Sequence, residues 1–409
     1  MTYSAGGLIQ ATDYNGFVND TVSANINATW NTSYGQTALP TVSTSATTGA
    51  ISSVTLAVGG VLTVTSGTYA VGQEIIVTGT FSAGSISGYT TGTKYYIIAV
   101  GSATSITISA TPSGSAVTST AGTATPGATF TLTGSVSLVT ATQWSTLVNT
   151  ITSIGNHQST TITARTAPVV GNTVSILANV NTDITNCYTN RYNAYAVGTQ
   201  YTAWTGTNSK TAATSGANWT ITFTNTVTFA NSTAAGSFFN SGGLIKIQVA
   251  KSSTGATGDP EWNDLATNLC GNIFISGAAA SHTIAGTAYT GTTKVGGTGT
   301  PTTLSTATGW DALVPAAAAT IVYKQFADTA PYTNNYIQHS IAKNAGSTTL
   351  TITTVWQAGD AESDPITGGT AASGATPGTA PCTIVTYFPP ESVYLTNTWG
   401  TPTVAATTV

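Results

Sequence analysis

The groups in this 409-residue chain that could do chemistry are three histidines, three cysteines and thirteen acidic side chains. His157, His282 and His339 could each act as a general base, since imidazole is the side chain that titrates nearest neutral pH. No G-x-S-x-G turn is present to set a nucleophilic serine beside one of them. His157 closes an expected helix, where a cation suits the C-terminal end of the dipole. His282 falls in a Gly/Ala/Ser loop, and His339 sits in an expected strand between Gln338 and Ser340. Cys187, Cys270 and Cys382 are far apart and lack the C-x-x-C spacing of zinc or redox sites. Their odd number argues against a disulfide framework, so they read as small buried apolar groups. Gly297-Thr298-Gly299 lacks the third glycine of a dinucleotide turn. The densest acidic stretch, Asp360-Ala361-Glu362-Ser363-Asp364, alternates carboxylates in a way that could hold calcium. Pro365 follows where an EF-hand loop needs glycine, which favours a solvated turn. A glycan hydrolase needs two carboxylates in one cleft, and the mostly isolated acids of this chain make a poor case for it. The expectation is a protein that is not an enzyme, with no catalytic, cofactor-binding or metal residue assigned.

Composition points the same way. Asp, Glu, Lys and Arg make up 5% of the residues, against about 25% in ordinary soluble domains. Thr, Ser, Asn, Gly and Ala take the surface role instead, so charge repulsion does little to keep copies apart. The net charge of −4 and nine scattered basic residues provide no patch for nucleic acid and no polybasic segment for a membrane. No stretch approaches the roughly 18 apolar residues of a membrane span, and Met1-Thr-Tyr-Ser-Ala-Gly-Gly does not have the pattern of a signal peptide. With 41% hydrophobic and 9% aromatic residues, the chain has ample material for a core.

The elements that would position these groups are mostly strands. A first helix is expected from Thr12 and Asp13 onward, with Tyr14, Val18, Val22, Ile26 and Trp30 in one apolar stripe. Residues 44 to 139 read as a small all-β module. Val54, Leu56 and Val58 alternate up to Gly59-Gly60, Leu62 and Val64 alternate beyond it, and strands follow at 75–77, 95–98, 106–108 and 130–132. Helix then returns. Thr140-Ala141-Thr142-Gln143 is a capping box leading into Trp144, Leu147, Val148, Ile151 and Ile154. A further run carries Leu177, Val180, Ile184, Cys187, Tyr188, Arg191 and Tyr195. From Trp219 to Phe229 apolar residues alternate with Thr, the pattern of a half-buried antiparallel strand. Asn240-Ser241-Gly242-Gly243 is a turn into a strand at 245–249. Asp259-Pro260-Glu261 opens a short helix with buried Trp262, Leu265, Ala266 and Leu269, stopped at Gly271. Strands are expected at 321–326, 336–341, 350–356, 383–388 and 393–396. Trp144, Trp262 and Trp310, each followed by Leu three residues on, should anchor helical segments onto a sheet. The fold class expected is mainly β: multidomain antiparallel β-sandwich modules with a small helical N-terminal framework. The framework comes from residues 1–43 and 140–200, interrupted by the β module at 44–139 and followed by a β-rich domain at 201–409 with short helices.

Several segments carry a resemblance. Tyr3-Ser4-Ala5-Gly6-Gly7-Leu8-Ile9-Gln10-Ala11-Thr12-Asp13-Tyr14-Asn15, Tyr34-Gly35-Gln36, Ala141-Thr142-Gln143-Trp144-Ser145-Thr146-Leu147, Asn156-His157-Gln158 and Phe239-Asn240-Ser241-Gly242-Gly243 resemble virion structural proteins of tailed phages, notably cyanophages. In that group the stretch like Thr41-Val42-Ser43 runs almost directly into the one like Val139-Thr140-Ala141, which implies that 44–139 is an insertion. Within it, Gly92-Thr93-Lys94-Tyr95-Tyr96 and Ser105-Ile106-Thr107-Ile108-Ser109 are similar to a β module found in phage tail and fibre proteins. The resemblance implies a structural part of the particle, a tail fibre or another exterior appendage, assembled in host cytoplasm. Its partners would be copies of itself, by analogy as a trimer, and other virion proteins. Two alternatives stand beside it: a protein that binds host-surface polysaccharide through stacking aromatics, and a capsid decoration protein.

Overall fold

The computed structural model describes residues 11–19, 24–42, 61–64, 69, 71–76, 90, 92–111, 114–117, 139–167, 179–201, 219–252, 259–359 and 381–408. They fall into two compact units. The first comprises Met1–Asn25, Leu39–Asn149 and Ala164–Asn181, and the second Ile26–Ala38, Thr150–Thr163 and Thr182–Val409. The chain therefore passes between units five times, and these boundaries cut across both segments of the expected helical framework.

In the first unit, α1 (Ala11–Asn19) packs its aromatic side on the start of α2 (Ala141–Gln158). Tyr14 and Phe17 meet Trp144 edge-on, at 5.4 and 6.0 Å between ring centroids. This Trp thus anchors helix on helix rather than helix on sheet. The capping box that opens α2 forms as its sequence demands: Thr140 N–H donates to Gln143 Oε1 at 2.8 Å and Gln143 N–H to Thr140 Oγ1 at 3.2 Å. Helix α1 already runs from Ala11, so Asp13 lies in its first turn, where a carboxylate complements the dipole, rather than ahead of it. The apolar stripe does not continue as one α-helix to Trp30. After Asn25 the chain turns through a π-helical segment, Ala28–Ser33, in which Ser33 Oγ bonds back to the Ala28 carbonyl at 2.9 Å. The unit also holds an antiparallel sheet of β1 (Val61–Thr63), β2 (Glu74–Ile76), β3 (Lys94–Ser102) and β4 (Ser105–Ser109), in the order β1-β4-β3-β2. All four strands lie inside the expected 44–139 module. Residues 54–60 and 130–132 lie outside the described residues, as does Leu177.

In the second unit, α3 (Val180–Thr189, its first two residues grouped with the first unit) ends before Arg191 and Tyr195, which the sequence pattern had included. Strand β5 (Thr220–Thr228) leads into α4 (Ser232–Asn240), which Asn231 caps by accepting the Ala234 N–H at 2.8 Å. Then come β6 (Leu244–Ala250), α5 (Asp259–Asp264), which runs on as a π-helical turn Leu265–Leu269, and β7 (Asn272–Ile275), β8 (His282–Ile284), β9 (Thr287–Tyr289) and β10 (Thr292–Val295). Gly271, at φ +70°, ends that helical run where expected. The remaining strands are β11 (Thr303–Leu304), β12 (Thr320–Phe326), β13 (Tyr336–Lys343), β14 (Thr349–Gln357), β15 (Cys382–Phe388) and β16 (Thr403–Thr408). They form a four-stranded sheet β10-β7-β6-β15, a six-stranded sheet β11-β12-β13-β14-β5-β16 and the hairpin β8-β9, antiparallel throughout. The fold is mainly β with a few helices, consistent with the β-sandwich class.

Period-2 burial drives these sheets. Trp219, Ile221, Phe223, Val227 and Phe229 are buried along β5, as are Leu350, Ile352 and Trp356 along β14. Helix α4 joins the two larger sheets, because Phe238 touches Phe229 beyond β5 and Tyr387 of β15. Trp262 of α5 packs on Trp219 at 4.8 Å and on Trp356 at 6.0 Å. Trp310 stacks on Phe239 of α4 at 5.0 Å and lies under Lys343 of β13, so it meets both helix and sheet.

Val393–Thr396 is not a strand: Val393 is 65% exposed, and the last strand is Thr403–Thr408 instead. A second departure from the pattern is chemical. Asn225 takes an inward position of β5, registered against Ile352 and Ala406, with both amide atoms buried and unpartnered. A buried amide without partners costs about 1–3 kcal/mol. Asn225→Val should therefore raise stability by about 1–2 kcal/mol, measured as a higher denaturation midpoint at unchanged slope. A lower midpoint would show that the amide is satisfied.

Candidate functional site

Three of the motifs singled out in the sequence and lying in the second unit converge on one buried polar junction. Tyr34, 0% exposed, is its centre. Gln158 Nε2 donates to the Tyr34 hydroxyl at 2.6 Å and to the Cys187 carbonyl at 2.8 Å, while the Tyr34 hydroxyl donates to the Arg191 carbonyl at 2.9 Å. Burial lifts the Tyr34 hydroxyl far above the usual phenol range, so it stays a donor at any physiological pH. His157 lies edge-on to the Tyr34 ring at 5.4 Å, and its Nε2 is 3.1 Å from the Ser241 carbonyl. Gln36 holds the far end: its Nε2 donates to the Thr396 carbonyl at 2.8 Å and its Oε1 accepts the Thr396 N–H at 3.1 Å. Thr398 Oγ1 donates to the Tyr34 carbonyl at 2.7 Å, and Asn240 Nδ2 to the Ser33 carbonyl at 3.2 Å. Gly35 is required between Tyr34 and Gln36: its φ is +66°, and a Cβ there would collide with Ser237 Oγ.

Electrostatics makes these groups quiet rather than reactive. Burial lowers His157 to about 4, against an opposing pull from the Ser241 carbonyl, so the ring is neutral near pH 7 and donates from Nε2. Ser241 Oγ is buried with no hydrogen-bond partner, so this serine and histidine do not form a nucleophile–base pair. Burial lowers His339 to about 3; its Nδ1 is 2.9 Å from Thr354 Oγ1, and it stacks on Tyr323 at 5.3 Å. His282 is lowered by burial too. Its Nδ1 meets the Ala280 carbonyl at 2.9 Å, beside Tyr192, whose hydroxyl donates to Asp311 Oδ2 at 2.8 Å. The three cysteines are buried and form no disulfide, with the Cys270 and Cys382 thiols pushed up to about 12 by burial.

Asp360, Glu362 and Asp364 lie outside the described residues. Three other carboxylates meet instead. One oxygen each from Glu261 and Asp264 of α5 and from Asp328 after β12 lie within 4.8 Å of one another. Burial, and then the charges of Asp264 and Asp328, raise the Glu261 carboxyl above its usual range. Sequence spacing could have offered the Glu261/Asp264 pair, but only the fold brings in Asp328. A pocket of about 380 Å³ opens beside the end of β6, lined by Lys251, Asn263, Thr267, Asn272 and the backbone of Gly296 and Gly297. Its Lys251 is fully buried and paired with Asp259 at 2.8 Å. Among the described residues no carboxylate or histidine lines this pocket. Among the described residues no helix is long and apolar enough to cross a membrane.

The depressed histidines set a pH dependence. Each folded value lies below the unfolded 6.5, so above about pH 6.5 neither contributes. As pH falls from there toward 4 and then 3, the unfolded chain takes up protons that the folded chain refuses, and stability is lost. Thermal melts should fall steadily from pH 7 to pH 4, and His157→Gln should flatten that slope. An equal slope in the variant would mean that His157 titrates normally in the folded chain. The chain matches no protein-family model, no curated protein and no solved structure.

Proposed function

We propose that the protein is a structural component of a tailed-phage particle, a tail-fibre or other exterior appendage part that acts by self-association and by docking to other virion proteins. The observation that carries this reading is what the resemblance-bearing segments do. Tyr34-Gly35-Gln36, Asn156-His157-Gln158 and Phe239-Asn240-Ser241-Gly242-Gly243 tie α2, α3, α4 and the 393–398 segment together through buried hydrogen bonds. Residues shared with such a group for an architectural purpose would sit in this way, while residues shared for catalysis would face a cleft. The almost uncharged surface fits close packing against copies. In this role the working quantity is interface area and strand pairing.

A second reading, binding of host-surface polysaccharide, draws on the tyrosines. Trp144, Trp219, Trp262, Trp310, Trp356 and Trp399 are all buried, so they do not serve as sugar platforms. Tyr188, Tyr195 and Tyr394 are each more than a third exposed, with Tyr195 and Tyr394 in ring contact at 5.5 Å. Tyr195→Ala with Tyr394→Ala should abolish glycan-array signal if this reading holds and leave it unchanged if it does not.

Light scattering on the purified chain tests the first reading. The expected result is a stable mass of three chains that persists on dilution. A monomer at all concentrations would sink the fibre reading in favour of a decoration protein that folds alone and docks late.

A further inference from the structure

The carboxylate cluster on α5 is arranged as an incomplete oxygen cage. Glu261 and Asp264 stand three residues apart and therefore on one face of the helix, and Asp328 reaches them from the connection between β12 and β13. Glu261 is only 9% exposed. Thr329 donates to its carboxylate, but the other oxygen, Oε1, is sealed from solvent with no hydrogen-bond partner. Among the described residues, the charges acting on Glu261 are those of Asp264 and Asp328, both negative. The buried ion pair of the same unit, Lys251 with Asp259, takes in no member of the cluster. An oxygen in this situation calls for a cation, because buried carboxylates are paired, protonated or bound to metal.

We propose that Glu261, Asp264 and Asp328 bind one calcium ion. This goes beyond the structural role proposed above and does not depend on it. The donor set is entirely carboxylate oxygen, which suits hard cations and disfavours zinc or copper. Three oxygens no more than 4.8 Å apart share a point at most 4.8/√3, about 2.8 Å, from each, and calcium–oxygen bonds of about 2.3–2.6 Å then need only small rotamer changes. Magnesium, at about 2.0–2.1 Å with strict octahedral geometry, would need a larger contraction. Asn268 Nδ2 already holds Asp264 Oδ1 at 2.5 Å, which fixes that carboxylate and leaves its second oxygen to face the ion. The ion would fasten α5, and with it Trp262 against Trp219 and Trp356, to the β12–β13 connection. An affinity of roughly 10⁻⁴–10⁻³ M, usual for calcium sites outside cells, is enough for such a fastening.

The test uses the full chain and two probes: calcium followed by calorimetry, and terbium followed by luminescence sensitised through Trp262. Saturable binding of one ion per chain is expected, with a rise in melting temperature. Glu261→Gln and Asp328→Asn should each weaken binding by about tenfold or more. The exposed Asp328 keeps the test open if the Glu261 variant folds poorly. A third variant neutralises Asp360, Glu362 and Asp364 together and should bind as the parent does. No saturable binding at millimolar calcium would overturn the proposal. So would binding that survives Glu261→Gln and Asp328→Asn and disappears only in the third variant.

Discussion

The hydrogen bond from Gln158 to the Tyr34 hydroxyl is the contact on which the larger unit depends. The phenol oxygen both accepts and donates, and its partners lie 124 and 157 residues away in the chain. Gln36, two residues on, reaches 360 residues to Thr396. Residues 26–38 belong to no sheet and make only one short helical run that ends at Ser33, so little intrinsic preference holds them. Their order comes from these long-range partners. Closing such long loops costs entropy that grows only slowly with length, whereas stranding one buried partner costs about 1–3 kcal/mol each time. That asymmetry explains why a handful of amide and phenol groups can set the positions of α2, α3 and α4 together.

Several of the described basic side chains are held against aromatic or buried partners. Arg191 lies over the Tyr188 and Tyr192 rings, Lys246 over Phe388, Lys324 over Tyr336 and Phe326, and Lys343 over Trp310. Lys251 is sealed against Asp259. Cations held over aromatic faces gain about 0.5–2 kcal/mol each and also bury their aliphatic stems. With Asp, Glu, Lys and Arg at 5% of the residues, the surface role falls mainly to hydroxyl, amide and methyl groups.

Local rules made much of this legible. The capping box at Thr140–Gln143, the alternation from Trp219 to Phe229 and the glycine stop at Gly271 all depend on neighbours within one element, and all appear where sequence places them. Failures came where distant partners decide. Val393 to Thr396 has strand-like composition, but the backbone of Thr396 is captured by the Gln36 amide, which takes the hydrogen bonds a ladder would use. The true last strand, Thr403–Thr408, has one strongly buried apolar residue, Val404, and is recruited by the free edge of β5. Helix α4 went unread because Ser-Thr-Ala-Ala-Gly-Ser has no apolar period. Its only local signal is the Asn231 cap. Of the candidate sites, His157 and His339 could be placed on their elements, whereas His282, read as part of a Gly/Ala/Ser loop, opens strand β8 through its pairing with Tyr289, and the meeting of Asp328 with α5 belongs to tertiary structure alone.

Sheet edges narrow how such a surface can meet its neighbours. Proteins that avoid edge-to-edge pairing shorten the edge strand, cover it, or place charge or proline on it. In the six-stranded sheet β11 has only two residues, and in the four-stranded sheet β15 is met on its outer side by bridges from Tyr201 to Tyr387 and from Val197 to Pro390. Strand β10 carries Lys294. Among the described residues, strand β16 uses none of these devices. Its six residues, Thr-Val-Ala-Ala-Thr-Thr, are uncharged and pair with β5 on one side. Among the described edges of these two sheets, that one leaves its main-chain hydrogen-bonding groups open to a further strand. A structural role built on strand pairing would begin there.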